Sequence, residues 1–382
     1  MTDRIAIVGA GTTGYRATTP DVSYREVTYE AAVKAYQDAG IAPKDVDTFV
    51  TTAEDFNEGY SIADEYCPDQ VGAVLRPIYT VPGDFIQALG SAYMMIQSGI
   101  TDITVVQCLS KASNMLTKDD LTTFAMDPVY NRPLRESPHF VAGLEMNRFM
   151  HETGTSRRQC ANVVVKNRLN ALDNPLAGHG TVVDVEYVLD SEMVAWPLTK
   201  MDVSQYSDGA IVLVLAKEST ARALKGDPVW IRGISWNSDT PGLETRDWAK
   251  LPYVKRASER AYAMAGIKSP RDEIDFAEIS DEFSYKELQT LEAMMIASTG
   301  EAGGITADGV TQRDGSLPVN ASGGCLGCGN MLEANGGAKV YEVVTQLRGE
   351  AGRRQIEDVQ TGVAQSWRGI PTTTAAVVVI SN

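Results

Sequence analysis

The chain has 382 residues, 43% hydrophobic and 22% charged, an ordinary globular composition with length enough for two or three domains. A formal net charge of −16 excludes nucleic acid and anionic membrane as expected partners, because both need a basic footprint; a phosphate-bearing ligand would need its cations gathered locally. Five cysteines with one close pair exclude a disulfide framework and point to a reducing compartment. No apolar run reaches the roughly 18–20 residues of a membrane span, and the opening MTDRIAIVGAG lacks the basic region and cleavage site of a signal peptide. The expectation is a cytoplasmic protein with neither membrane nor nucleic acid as partner.

A first strand, Ile5–Val8, runs into Gly9-x-Gly11-x-x-Gly14. A dinucleotide fingerprint would open a helix at once. Here Thr18, Thr19 and Pro20 intervene and no helical period starts before Tyr24, so the glycines are expected to serve a strand-to-loop turn. An amphipathic helix then stops at Gly40, and a polar turn leads to the strand Val46–Thr52. Ala88–Gln97 is a helix of small residues broken at Gly99, and Asp102–Gln107 is the strand after it. From Leu109 to Thr199 the pattern is irregular, with a helix near Ala142–His151. Buried strands resume at Asp208–Lys217 and Pro228–Trp236.

The first motif then returns. Glu30–Phe56 and Arg256–Phe283 share Ala-Tyr-x-x-Ala-Gly-Ile, with Tyr36 answering Tyr262 and Gly40 answering Gly266; the strand Ile274–Ile279 answers Val46–Thr52. The helix Ala338–Leu347, broken at Gly349, and the strands Gly362–Ser366 and Thr374–Ser381 continue the second copy. Strands alternating with helices in duplicate imply an α/β fold of two related halves. The expected division is 1–115 with 200–236 as first half, 116–199 as inserted loop domain, and 237–382 as second half.

Cys325-Leu-Gly-Cys328 has no second Cys or His pair to complete a metal site, and His139, His151 and His179 share no ligand spacing, so no metal is expected. No GxSxG elbow, P-loop or HExxH is present. The densest signal is the glycine-rich run Asn320–Gly337, NASGGCLGCGNMLEANGG, between a strand-like segment and a helix. So many glycines imply positive φ or very close backbone approach, as in a packed active-site loop.

That run resembles the thiolase motif NxSGGxxxxGHPxGAxG, and the resemblance extends over nearly the whole chain. AIVGAG is similar to the opening strand, LGSAYMMIQSGITDITVV to the helix, turn and strand after the nucleophile, DGAIVLVLAKE to the first half's return strand, and FAEISDEFS to the ELNEAF loop. ANVVVKNRLNALDNPLA is similar to the branch of archaeal and sterol-carrier-protein-type thiolases and their cysteine-lacking aldolase relatives. The resemblance implies a thiolase fold, layered α/β/α/β/α, and an acyl-CoA thioester as substrate with no permanently bound cofactor. It also implies a homodimer, for which Ile103–Gln107 is the expected open strand edge, and a possible small OB-fold partner carrying a zinc ribbon.

The motif's catalytic positions differ one after another. By counting from Ala88-Leu89 and Gly99, the nucleophilic cysteine falls on Pro82, with Gly83 beside it, where a proline at a helix start is preorganised. The GHP histidine falls on Asn330, the NEAF asparagine on Ser280, and the second cysteine on Ser366. Three functions remain open. One is carbon–carbon cleavage of retro-aldol type on a bulky, aromatic or steroid-like acyl-CoA, with base and donors among Tyr285, Asp281, Glu282, Asn330 and the amides of Gly323, Gly324 and Gly329. Another is an acyltransferase whose nucleophile has moved to Cys328 or, failing that, Cys325. The third is a catalytically silent scaffold subunit of a thiolase complex.

Overall fold

The computed structural model describes residues 3–54, 62–115, 123, 126–224, 226–240, 242–367 and 374–382. Its strands are β1 (Ile5–Thr12), β2 (Thr48–Thr52), β3 (Ile78–Val81), β4 (Ile103–Lys111), the small hairpin β5 (Met193–Ala195) and β6 (Leu198–Thr199), β7 (Asp208–Lys217), β8 (Val229–Ser238), β9 (Phe276–Glu278), β10 (Thr361–Trp367) and β11 (Thr374–Ser381). The helices that frame the argument are α1 (Tyr24–Ala39), α2 (Phe85–Gln97), α3 (Pro138–Thr153) and α4 (Arg157–Asn170) in the first part of the chain. They are followed by α5 (Pro252–Ala265), α6 (Ser284–Ala293), α7 (Gly324–Cys328) and α8 (Asn335–Leu347).

Side chains alternate across β1: Ile5 and Ile7 face one core, Ala6 and Val8 the other. The same alternation on β11 puts Val378 and Ile380 inward and Val377 and Val379 outward. Three apolar layers result. α1 covers the outer face of the first-half strands, α5 and α6 the outer face of the second-half strands, and α2 and α8 lie between the two. This is the expected α/β/α/β/α stack. The strands also form one strip, in the order β3-β2-β4-β7-β1-β8-β11-β10-β9, because β1 pairs with β8 over Ile5–Ile7. β8, assigned by sequence to the first half, pairs with β11 along most of its length and so lies in the second half's sheet.

The duplication is visible in hydrogen bonds. α1 and α5 both end on a left-handed glycine, Gly40 (φ 67°) and Gly266 (φ 80°), each followed by an isoleucine whose amide donates back to a helix tyrosine carbonyl, Tyr36 or Tyr262. Gly9 and Gly11 are explained by packing: a Cβ there would lie 2.4 Å from the Ala35 carbonyl and 2.1 Å from the Ala31 carbonyl, so they let α1 sit on β1.

Two expectations fail here. β4 is not an edge, since it pairs with β2 on one side and β7 on the other; the strip ends at β3 in the first half and at β9 in the second. The inserted stretch, expected as an excursion on the first half, docks on the second. Lys166 of α4 forms a fully buried pair with Glu287 of α6 at 2.8 Å and donates to the Val319 carbonyl at 2.6 Å. Among the described residues, no helix is long and apolar enough to cross a membrane.

Candidate active site

The two central helices point their N-termini at one place. α2 begins at Phe85 and is capped by Asp84, whose Oδ1 accepts from the Ile86 amide at 2.8 Å. Its other oxygen accepts from the Gly336 amide in the first turn of α8 at 3.0 Å, and the Ser366 hydroxyl of β10 donates to Oδ1. One carboxylate thus caps two helices and ties β10 to both. Gly336 is required there, because a Cβ would lie 2.1 Å from Asp84 Oδ1. Burial raises the Asp84 carboxyl above its ordinary value, opposed by the Ser366, Ile86 and Gly336 donors.

Pro82 is exposed and lies two residues ahead of this cap, so the expectation that it starts the helix is corrected: Asp84 sets the start. Gly83 is buried with φ 151°, and a Cβ on it would meet the Gln87 amide at 1.8 Å. No cysteine stands between Val81 and Ala88.

The loop after β9 brings the second set of groups. The Ser280 amide donates to Gln365 Oε1 at 3.0 Å, next to Ser366. The Ser280 hydroxyl is fully buried and has no hydrogen-bond partner among the described residues. Two residues on, Glu282 is 4% exposed. Its Oε1 accepts from Asn335 Nδ2 at 3.3 Å and from the Cys325 thiol at 3.6 Å, and lies 3.8 Å from Lys339 Nζ; its Oε2 has no hydrogen-bond partner among the described residues. Asn335, the first residue of α8, also donates to Asn330 Oδ1 at 2.9 Å, while Asn330 Nδ2 donates to Ser204 Oγ at 3.2 Å. Hydrogen bonds therefore tie Glu282 and Asn330 to Asn335, and Ser366 through Asp84 to Gly336, in the first turn of α8, while Ser280 is held to Gln365 beside Ser366. Asn335, Gly336 and Lys339 were not singled out from sequence; the signal available was their place in the first turns of the helix after the glycine run.

Three other candidates have structural work. Tyr285 is fully buried on α6 and donates to Glu145 Oε2 at 2.8 Å, beside Lys286 and Arg246; burial and Glu145 push its hydroxyl well above the ordinary range. It faces the core, not the loop cluster. Asp281 accepts from the Cys325 and Leu326 amides at 2.6 and 3.1 Å and from Asn167 Nδ2 at 2.8 Å, which fixes α7 against α4. The loop amides offered as oxyanion donors are taken inside the protein: Gly323 donates to the Asn320 carbonyl, Gly324 to Ser322 Oγ and Gly329 to the Cys325 carbonyl. The glycines themselves admit close neighbours, Gly323 (φ 106°) against Ala171, Gly324 (φ 56°) against Asp281, and Gly329 (φ 125°) against Ser207.

Both loop thiols are buried and raised well above the ordinary cysteine value, chiefly by burial. Cys328 donates to the Ser322 carbonyl at 3.1 Å. Cys325 accepts from Lys339 Nζ at 3.2 Å, and the charge of Arg354 opposes the rise at Cys328. Among the described residues no group of three His, Cys, Asp or Glu side chains is placed to hold a metal.

Behind the loop, Glu278 accepts from the Ser322 amide and hydroxyl at 3.0 and 2.6 Å, yet burial and the nearby Glu342 push its carboxyl up to about 8. A carboxyl raised on folding gives stability that is full below its ordinary 4.5 and is lost as pH rises toward 8. Glu278→Gln, still able to pair with Ser322, is expected to remove this decline. Urea midpoints at pH 5.5 and 8.5 should then differ less than in wild type; an equal difference contradicts the assignment.

Comparison with known proteins gives this geometry its context. The family described as Thiolase C-terminal domain-like matches residues 237–382. An acetyl-CoA acetyltransferase of Methanothermobacter thermautotrophicus is 33% identical over 97% of this chain and 98% of its own. The 17-hydroxy-3-oxo-4-pregnene-20-carboxyl-CoA lyase of Mycobacterium tuberculosis is 27% identical over 97% and 98%. Among solved structures, the Ltp2-ChsH2(DUF35) aldolase superposes with a TM-score of 0.85 at 24% identity, covering 99% of this chain and 97% of that one. The paired halves, the two central helices meeting at one site and the full-length likeness to an acetyltransferase lead to one conclusion: this chain belongs to the thiolase superfamily and is a thiolase-like enzyme.

Proposed function

We propose that the enzyme cleaves, and in reverse forms, a carbon–carbon bond in a bulky β-hydroxyacyl-CoA, without an acyl-cysteine at α2. The observation that carries this is the pair of unpartnered buried atoms two residues apart, Ser280 Oγ and Glu282 Oε2. A hydroxyl and a carboxylate left open two residues apart on one loop match the two demands of a retro-aldol step. Glu282 takes the β-hydroxyl proton, the Cα–Cβ bond breaks, and its electron pair passes into a thioester enolate whose oxygen Ser280 holds. The β-carbon leaves as a carbonyl, and the enolate carbon takes the proton back from Glu282. Atoms and charge balance with no further reactant. The likeness to a steroid-CoA lyase at 27% identity supports a bulky acyl group.

An acyltransferase is the second reading, supported by the 33% identical acetyltransferase and by Lys339 beside Cys325; that contact favours Cys325 over Cys328. A Cys325→Ala/Cys328→Ser double variant separates the two. Under the lyase reading it keeps β-hydroxyacyl-CoA cleavage within about tenfold of wild type. Complete loss with retained folding moves the assignment to Cys325.

The dimer is proposed on the β3 edge, whose four residues are all half-buried and whose outer side pairs with no strand among the described residues. Sedimentation at micromolar concentration should give a dimer; a monomer contradicts it. The likeness to the solved Ltp2-ChsH2(DUF35) aldolase supports a partner protein here as well.

A further inference from the structure

A lysine is seldom buried without an acid to pair with it. Lys339 of α8 is 3% exposed, and its one hydrogen bond among the described residues goes to a thiol, Cys325 Sγ at 3.2 Å. A neutral thiol does not compensate an ammonium taken out of water. The compensation comes from carboxylates at longer range, on the elements packed around it. Glu282 Oε1 lies 3.8 Å away, beyond a hydrogen bond but well within Coulomb range. Asp281 on the same loop, Glu278 on β9 and Asp84 at the cap of α2 feel the charge as well. Burial works against the ammonium, yet Cys325, Glu282 and Asp281 raise it above the ordinary lysine value, so it stays charged.

These acids are not equivalent. Asp84 is held by Ile86, Gly336 and Ser366, Asp281 by Cys325, Leu326 and Asn167, and Glu278 by Ser322. Glu282 keeps an open oxygen, Oε2. Its other oxygen is where α8 arrives. Asn335 and Lys339 are one turn apart and share a helix face. Asn335 Nδ2 donates to Oε1 at 3.3 Å, and Lys339 Nζ stands 3.8 Å from that same atom. Glu282 also feels Lys286 of α6, but that ammonium has its own carboxylate, Glu145 at 2.5 Å.

We infer that Lys339 is a positioning residue for Glu282: with Asn335 it holds Oε1, and its charge keeps the carboxylate ionised, so that Oε2 is free to take the substrate proton. The inference rests on the lyase reading above. A buried carboxyl favours its neutral form unless a cation stands by it, and a neutral acid cannot accept the β-hydroxyl proton. Loss of the ammonium therefore moves the acid limb of kcat to higher pH.

The test follows kcat against pH for β-hydroxyacyl-CoA cleavage by the purified full chain, as wild type, Lys339→Met, Lys339→Arg and Glu282→Gln. Lys339→Met should move the acid limb up by about one pH unit or more, the effect of losing an opposite charge at this range, with KM little changed. Lys339→Arg keeps the charge and should return the limb toward its wild-type position. A merely structural lysine would lower kcat alike at every pH, and an unmoved limb in folded Lys339→Met overturns the proposal. Glu282→Gln separates this from the lyase reading. If that variant still cleaves the substrate, both fall; if it is inactive while the Lys339→Met limb stays in place, only the role of the lysine falls. Should Lys339→Met fail to fold, the double variant Lys339→Met/Glu282→Gln decides, because breaking one half of a buried pair is costly and neutralising both halves is not. A cooperative urea transition regained in the double variant supports the pairing. A double variant that also fails to fold assigns Lys339 to the other acids and overturns it.

Discussion

Replacing Glu282 by glutamine is expected to lower β-hydroxyacyl-CoA cleavage by about 10²–10⁴, the contribution of a positioned general base. Glutamine keeps the length of the side chain and an oxygen for Asn335, but it cannot take the β-hydroxyl proton. The loss should fall on kcat, since the open Oε2 is used in the reacting state more than in holding substrate. Ser280→Ala removes the enolate donor from a buried position and is expected to cost about 10²–10³ in kcat. Steady-state kinetics on β-hydroxyacyl-CoA checks both. A Glu282→Gln enzyme within tenfold of wild type would place the base elsewhere.

Asp84→Ala should be the most destabilising single change in the site. It removes the caps of α2 and α8 at once and leaves the Ile86 amide, the Gly336 amide and the Ser366 hydroxyl without their acceptor in a buried place. One lost cap costs about 0.5–2 kcal/mol, and each stranded buried donor about 1–3 kcal/mol before relaxation or water entry. A loss of about 2–4 kcal/mol in urea unfolding is therefore expected. Asp84→Asn gains little, because its amide nitrogen must face one of three donors. A loss below about 1 kcal/mol would show that the helices do not depend on the shared cap.

What the sequence conveyed and what it hid follow from the range of each interaction. Tyr36 and Tyr262, with the glycines that stop their helices, are local signals, so both copies of the duplicated unit could be read directly. Strand neighbours are not local. β4 looked like an open edge until β2 and β7 were seen on either side of it, and β8 joined the half opposite to its assignment. The inserted stretch concealed its partner for the same reason, since Lys166 and Glu287 are 121 positions apart. In the site, Ser280, Asn330 and Ser366 could be named by counting along motifs; Gln365 links Ser280 to Ser366, and Asn330 bonds to Asn335 of α8. Tyr285 was not legible. A tyrosine near a motif loop has the same letters whether it faces a pocket or, as here, Glu145 in the core. The role of Asp84 needs Gly336, far along the chain, to be seen.

The account rests on chemistry at the Ser280–Glu282 loop without a thiol on α2. Single-turnover mixing of wild-type enzyme with a β-hydroxyacyl-CoA, and separately with the matching β-ketoacyl-CoA plus free coenzyme A, tests this most directly. The account predicts cleavage of the hydroxy compound to a carbonyl product and a shortened acyl-CoA, abolished by Glu282→Gln, with no trapped acyl-enzyme and little thiolysis of the keto compound. Fast thiolysis of the keto compound with an acyl group trapped on Cys325 or Cys328 would contradict it.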